Sequence, residues 1–190
     1  MDATAAVISS HAAFLNRLDQ VTLEQLALPS PCEGWDVTAL LQHVTGGCRM
    51  SVALLGGAAG SEIRPIFSAT AELKGDGLVE ACRDSIEEAE SLLVDLDEPG
   101  ALVHFPGMDM PAAQLQSFRI VDMTLHAWDL ARSIGVNEEL PADAVELSLA
   151  NLVAMEGMVP PGMFGDGASG ALDEAADAQA RLLDLSGRRP

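Results

Sequence analysis

Tyrosine is absent from this chain, and aromatic residues of all kinds reach only 4%. Few side chains therefore suit a pleated sheet, and the abundance of Ala and Leu favours helices. No stretch approaches the roughly 18 to 20 unbroken apolar residues of a membrane span. The opening segment, MDATAAVISSHAAFLNRLDQ, lacks the basic start of a signal peptide and reads as an amphipathic helix. Positive charge is scarce: 10 Lys and Arg stand against 29 Asp and Glu, giving a formal net charge of -19. That field repels phosphate backbones and anionic lipid surfaces, so neither nucleic acid nor a membrane is expected as a partner. The three cysteines, Cys32, Cys48 and Cys82, are odd in number and too far apart for a zinc ribbon or a disulfide scaffold. Reduced thiols in a soluble, cytoplasmic protein are the simplest expectation.

What is present suits one all-α domain over residues 1–190, with 48% hydrophobic residues to build a core. Apolar periodicity predicts a first helix over about residues 3–19 and a second from Asp36, as N-cap, to about Leu55, with Val37, Leu40, Leu41, Val44, Cys48 and Val52 inward. A glycine-bearing loop is expected from there to about Gly77, then a third helix over about 78–96. The segment ALVHFPGMDMP reads as a small hairpin or a tight loop, and the sequence does not choose between them. A fourth long helix is predicted over about 112–134, stopped by Gly135, a fifth over 141–157, and a short C-terminal helix near 173–185 after a loop-like tail.

The fourth long helix carries the functional signal. Arg119, Asp122, His126 and Asp129 recur at steps of three, four and three, which places them on one narrow stripe. Phe118 and Leu125 flank the stripe on one side, Met123 and Leu130 on the other, so it should point into the protein. Burying two carboxylates, an imidazole and a guanidinium costs several kcal/mol per uncompensated ion unless they pair or hold a metal. Asp122 and His126, four apart, can reach one ion, and His43 on the inward stripe of the second helix is the candidate third ligand. Two histidines and one carboxylate suit zinc, with iron and nickel able to use the same set.

Three protein ligands leave open positions, the arrangement of a catalytic site, where a bound thiol or water becomes nucleophilic at neutral pH. Asp129 is a candidate to orient a ligand or act as general base, and Arg119 to neutralise Asp122 or hold an anionic substrate group. Gly46 and Gly47, beyond His43, leave room for a substrate or for a closely packed helix. His11 and His104 read as structural or solvated, Trp35 and Trp128 as packing anchors, and neither Cys32 nor Cys48 has a clear activating neighbour.

The segments PSPCEGWDVTALLQHV and VDMTLHAWDLARSIG resemble the DinB-like, YfiT-like metal-binding family, in the group related to the N-terminal domain of mycothiol-dependent maleylpyruvate isomerase. Pro31, Cys32, Gly34, Trp35 and His43 match the first motif, and Asp122, His126, Trp128, Asp129 and Leu130 the second; the tail DAQARLLDLSGRRP is similar too. The resemblance implies an up-down-down-up four-helix bundle with His43, Asp122 and His126 around one ion. It also implies activation of a low-molecular-weight thiol, such as mycothiol, for transfer to or isomerisation of an electrophilic substrate. Hydrolysis by bound water, or a non-catalytic role as a metal-stabilised or sensing protein, uses the same site. The second and fourth helices also offer a face for a homodimer.

Overall fold

The computed structural model describes residues 2–155, 167–172 and 175–189. Seven helices are found among them: α1 (Ala3–Leu18), α2 (Val37–Leu55), α3 (Ile63–Ala71), α4 (Gly75–Val94), α5 (Ala112–Ile134), α6 (Ala142–Ala154) and α7 (Ala178–Leu185). Two strands, β1 (Leu102–Phe105) and β2 (Met108–Pro111), pair antiparallel, so the segment before α5 is a hairpin, turned at Gly107 with φ +85. The long helices start and stop where side chains provide the missing partners. Asp36 accepts the Ala39 amide at 2.8 Å to open α2, and Gly135 takes φ +74 to close α5.

Hydrogen bonds between elements fix the direction of each helix. Gln42 of α2 donates to the Ala71 and Leu73 carbonyls just before α4, and farther along Thr45 and Cys48 of α2 stand beside Cys82 and Ser85 of α4, so α2 and α4 run parallel. Gln116 near the start of α5 donates to the Leu93 carbonyl at the end of α4, so α5 runs back. Arg17 at the end of α1 donates to the Asn137 and Glu139 carbonyls just beyond α5, which sets α1 parallel to α5. The result is an up-down-down-up bundle of α1, α2, α4 and α5. Its core holds Phe14, Leu40, Leu41, Ile86, Leu93, Leu115 and Trp128. Outside it, α6 packs on α5, where Ser148 and Thr124 meet hydroxyl to hydroxyl at 3.1 Å, and α7 packs on α6.

The segment expected as a loop up to Gly77 instead contains α3. Its nine residues include Pro65 and follow a glycine-rich stretch, so local preference argues against a helix. Pro65 is nevertheless the third helical residue, where the missing amide has no intrahelical partner to lose. Packing does the rest: Ile63 is buried, and the Phe67 ring lies against the bare backbone of Gly46. The fifth predicted helix ends at Ala154, and its last predicted residues, 156 and 157, lie outside the described residues, as do 173 and 174 of the short C-terminal helix. No helix among the described residues is long and apolar enough to cross a membrane.

His11 shows how tightly the bundle closes on polar groups. It is fully buried on α1 with Nδ1 2.8 Å from the Val7 carbonyl oxygen, so that nitrogen carries the proton, and Nε2 has no hydrogen-bond partner among the described residues. Burial first, and the Arg119 guanidinium second, lower its pKa from 6.5 to about 4, against the opposing Val7 carbonyl and Asp122. The neutral ring fits the fold, so its contribution is whole above pH 6.5 and is lost as pH falls from there towards 4. At roughly 1.4 kcal/mol per pH unit the loss amounts to about 3 kcal/mol. Urea unfolding across that window should show His11→Leu losing less stability than the unsubstituted protein; equal slopes would contradict the assignment.

Candidate metal centre

Two helices and one turn assemble the site. Pro29 and Asp36 bridge the ends of a tight turn in which Gly34 takes φ +76 and the Trp35 amide donates to the Cys32 carbonyl, so Cys32 and Trp35 face the bundle just before α2. His43 follows two turns into α2. Across from it, α5 presents its polar stripe inward as the spacing predicts: Arg119, His126 and Asp129 are buried, and the Asp122 side chain is 15% exposed.

His43 Nε2 and His126 Nε2 approach the same atom, Asp122 Oδ1, at 3.3 and 3.4 Å. One donor atom from each of the three residues lies within 4.8 Å of the others. The other carboxylate oxygen, Oδ2, is held by Arg119 at 2.7 Å. Asp122 thus spends one oxygen on a fixed cation and turns the other toward two imidazoles. Trp35 covers them, its ring 4.9 Å from His43 and stacked at 6.1 Å on His126. Two ring nitrogens and a carboxylate oxygen from two rigid helices are a donor set that fits a divalent cation.

A second layer fixes His126 from behind. Its Nδ1 lies 2.9 Å from Asp129 Oδ2, and Arg188, beyond α7, grips Asp129 with NH2 on Oδ2 at 2.7 Å and Nε on Oδ1 at 3.1 Å. An imidazole with a carboxylate on one nitrogen is oriented, and its other nitrogen made more basic, as metal-ligating histidines are. Cys32 joins this layer, Sγ donating to Asp129 Oδ2 at 3.3 Å. Cys32, His126 and Asp129 also converge closely enough to hold a cation, but the Arg188 guanidinium already stands on Asp129 and 3.9 Å from the sulfur. That second trio has its cation in Arg188.

Charge states follow from these contacts. Burial opposes ionisation of Asp122, yet Arg119, and after it His126 and His43, hold its carboxyl well below the ordinary range. Burial likewise opposes a proton on His126, but the Asp122 charge and the bonds to Asp122 and Asp129 raise its pKa well above the usual imidazole value. A proton would therefore compete with any cation for His126 Nε2. Asp129 is pushed down to about 2, where burial is outweighed by the hydrogen bond from His126 and by Arg188. Cys48 and Cys82 are fully buried and their thiols are pushed up by that burial, Cys82 to about 12, which makes both poor nucleophiles.

His43, Asp122, His126, Arg119 and Asp129 thus come together. His11 and His104 do not: His104 is an exposed partner of Asp109 at 2.9 Å. Sequence reasoning missed Arg188 and the Cys32 contact. Arg188 lies 59 residues from Asp129 in a polar tail, and no periodicity links them. The turn containing Cys32 gave no sign that its thiol would meet Asp129, 97 residues on.

Comparison with known proteins agrees with this architecture. The family model described as the mycothiol maleylpyruvate isomerase N-terminal domain matches residues 7–131. Two uncharacterised proteins, from two strains of Mycobacterium tuberculosis, are each 30% identical over 167 residues, covering 88% of this chain and 85% of theirs. A crystal structure of the mycothiol-dependent maleylpyruvate isomerase superposes with a TM-score of 0.64 at 18% identity, covering 84% of this chain and 72% of that one. A histidine-to-alanine mutant of the same enzyme gives the same score over 80% and 67%. At that identity the two structures speak for the fold alone.

Arg188→Ala leaves the buried Asp129 carboxylate without its bidentate cation and should lower stability by about 3 kcal/mol. Arg188→Lys, a single charged point in place of a fork, should recover part of the loss. Urea unfolding at neutral pH measures both; an Ala variant as stable as the unsubstituted chain would show that the tail is not anchored there.

Proposed function

The chain belongs to the mycothiol maleylpyruvate isomerase N-terminal domain family, and on that premise we propose that it is a metalloenzyme. In this reading His43, Asp122 and His126 hold a divalent ion, zinc before nickel or iron. The enzyme activates a low-molecular-weight thiol of the mycothiol type for transfer to, or isomerisation of, a small electrophile. The observation that carries the proposal is the convergence of His43 Nε2, His126 Nε2 and Asp122 Oδ1 beside a cavity to which His43, Arg119 and Asp122 all contribute. When bound, such an ion supplies the Lewis acidity that makes a thiol, or water, nucleophilic at neutral pH.

The chain's own residues set up that chemistry. Arg119 ties down Asp122 Oδ2 and so aims Oδ1 at the two imidazoles. Asp129 keeps the proton of His126 on Nδ1, which leaves the Nε2 lone pair for the ion. Both Asp129 oxygens are occupied, by Arg188 and by His126, and the carboxylate is fully buried. That environment suits a residue that orients a ligand better than one that takes a substrate proton. Arg119, with its charge matched by Asp122, is in the same way a positioning group. The cavity wall beside the triad is mostly apolar and offers few groups to hold and aim a hydrolytic water, which favours a bound thiol over hydrolysis.

Elemental analysis of the purified protein should find about one divalent ion per chain, and His43→Ala and His126→Ala should each lose it. Asp129→Asn, which keeps the shape but loses the charge and one of the two acceptor oxygens, should weaken metal affinity by about 10- to 100-fold. Full metal content in both histidine variants would end the proposal. With cobalt in the site, mycothiol should change the visible absorption spectrum. An unchanged spectrum with turnover by water would point to hydrolysis, and a metal whose removal costs melting temperature without any turnover would point to a non-catalytic role.

A further inference from the structure

The cavity beside the triad has a volume of about 460 Å3, within the range of small-molecule sites. Its wall is hydrocarbon: Met50 of α2, Ile63 and Phe67 of α3, Phe105 of the hairpin, and Leu115 and Phe118 of α5. Phe105 and Phe118 meet edge to face at 6.1 Å and close one side. The two glycines of α2 set the depth. A Cβ at Gly46 would lie 2.7 Å from the Phe67 ring, and one at Gly47 would run into the Arg119 guanidinium. Each glycine weakens its helix relative to Ala, and here the loss lets Phe67 and Arg119 sit against bare backbone.

The buried arginine of the cavity is already paired. Arg119 gives NH1 to Asp122 and NH2 to the sulfurs of Cys48 and Met123, both at 3.4 Å, so its charge is matched before any ligand enters. Arg64, the other cation on the wall, is exposed and screened by water. A dicarboxylate with one carboxylate on the ion of the proposed site would still have to place the other beside Phe67, Phe105 and Leu115, within reach only of the exposed Arg64 and at a net cost in desolvation. It would also approach a chain of net charge -19. An uncharged molecule meets neither obstacle.

We propose that this cavity binds uncharged, apolar small molecules, and that the electrophile of the function proposed above belongs to that class and not to the dicarboxylates. The identification as an electrophile rests on that reading; the binding preference stands on the cavity itself. Diethyl phthalate and phthalate share a skeleton and differ in charge, so isothermal titration of the full chain with each separates the two classes. The diester should bind roughly tenfold or more tightly than the dianion. Phe67→Asp should weaken the diester about tenfold or more, and Arg64→Ala should leave it within about twofold. Phe105→Asp, on the hairpin outside the bundle, gives the same readout should Phe67→Asp not fold.

Phthalate binding as tightly as the diester, no binding of either, or diester affinity indifferent to both aspartate variants would each overturn the proposal. Metal content is measured on the same samples. Diester binding in a protein whose metal does not depend on His43 and His126 would fail the proposed function alone. A metal that does depend on them, with no diester binding, would fail the substrate class alone.

Discussion

The Arg119–Asp122 pair is the interaction on which the rest of this interior depends. It forms within one helix, at a spacing of three, with the Arg119 side chain only 4% exposed. An isolated carboxylate at such depth would take up a proton and lose its attraction for a cation. The guanidinium keeps it ionised and occupies one of its oxygens, so the remaining oxygen has a defined direction. The pair also has a steric requirement: Arg119 lies where a Cβ on Gly47 would be, so a glycine on α2 is a condition for an arginine on α5. A buried ion pair contributes little net stability once desolvation is counted, and its value here lies in the geometry it imposes on Asp122.

A second buried pair, Asp129 with Arg188, does for His126 what Arg119 does for Asp122. The two carboxylates of the stripe lie on opposite sides of one imidazole, Asp122 facing Nε2 and Asp129 facing Nδ1. Each is backed by its own arginine, so the cluster alternates in sign and no charge in it is left uncompensated. The outer arginine comes from the segment after α7, which docks through the α6 layer. The C-terminal elements are therefore tied to the site through charge as well as through apolar packing. An amide or hydroxyl in place of Arg188 would satisfy hydrogen bonds but not the second negative charge.

Much of this was legible because helices impose a period. Three-four-three spacing with apolar flanks places Arg119, Asp122, His126 and Asp129 inward without any tertiary information, and His43 falls on the inward stripe of α2 by the same rule. Asp36 and Gly135 marked helix ends because capping is local chemistry. The misses are of the opposite kind. The α3 helix depends on Phe67 finding Gly46, a contact across 21 residues that no local propensity reports. Arg188 and Cys32 reach Asp129 from distant turns with no repeating pattern. The hairpin could not be decided from ALVHFPGMDMP alone, since its pairing is completed where the Ala112 and Ala113 amides, at the start of α5, donate to the carbonyls of Ala101 and Pro99.

The position of the site along the bundle follows from a change of character within α5. Its first turns give Leu115 and Phe118 to the hydrocarbon wall, and the later turns give the charged stripe. The triad sits where the two regimes meet, with Asp122 and Arg119 shared between them. A ligand in the cavity therefore has apolar surface along its length and strong electrostatics only at one end. Low dielectric around that end strengthens whatever polar interaction is made there, and the same low dielectric penalises charge elsewhere on the ligand. One helix thus supplies two members of the triad and part of the apolar wall of the space beside it.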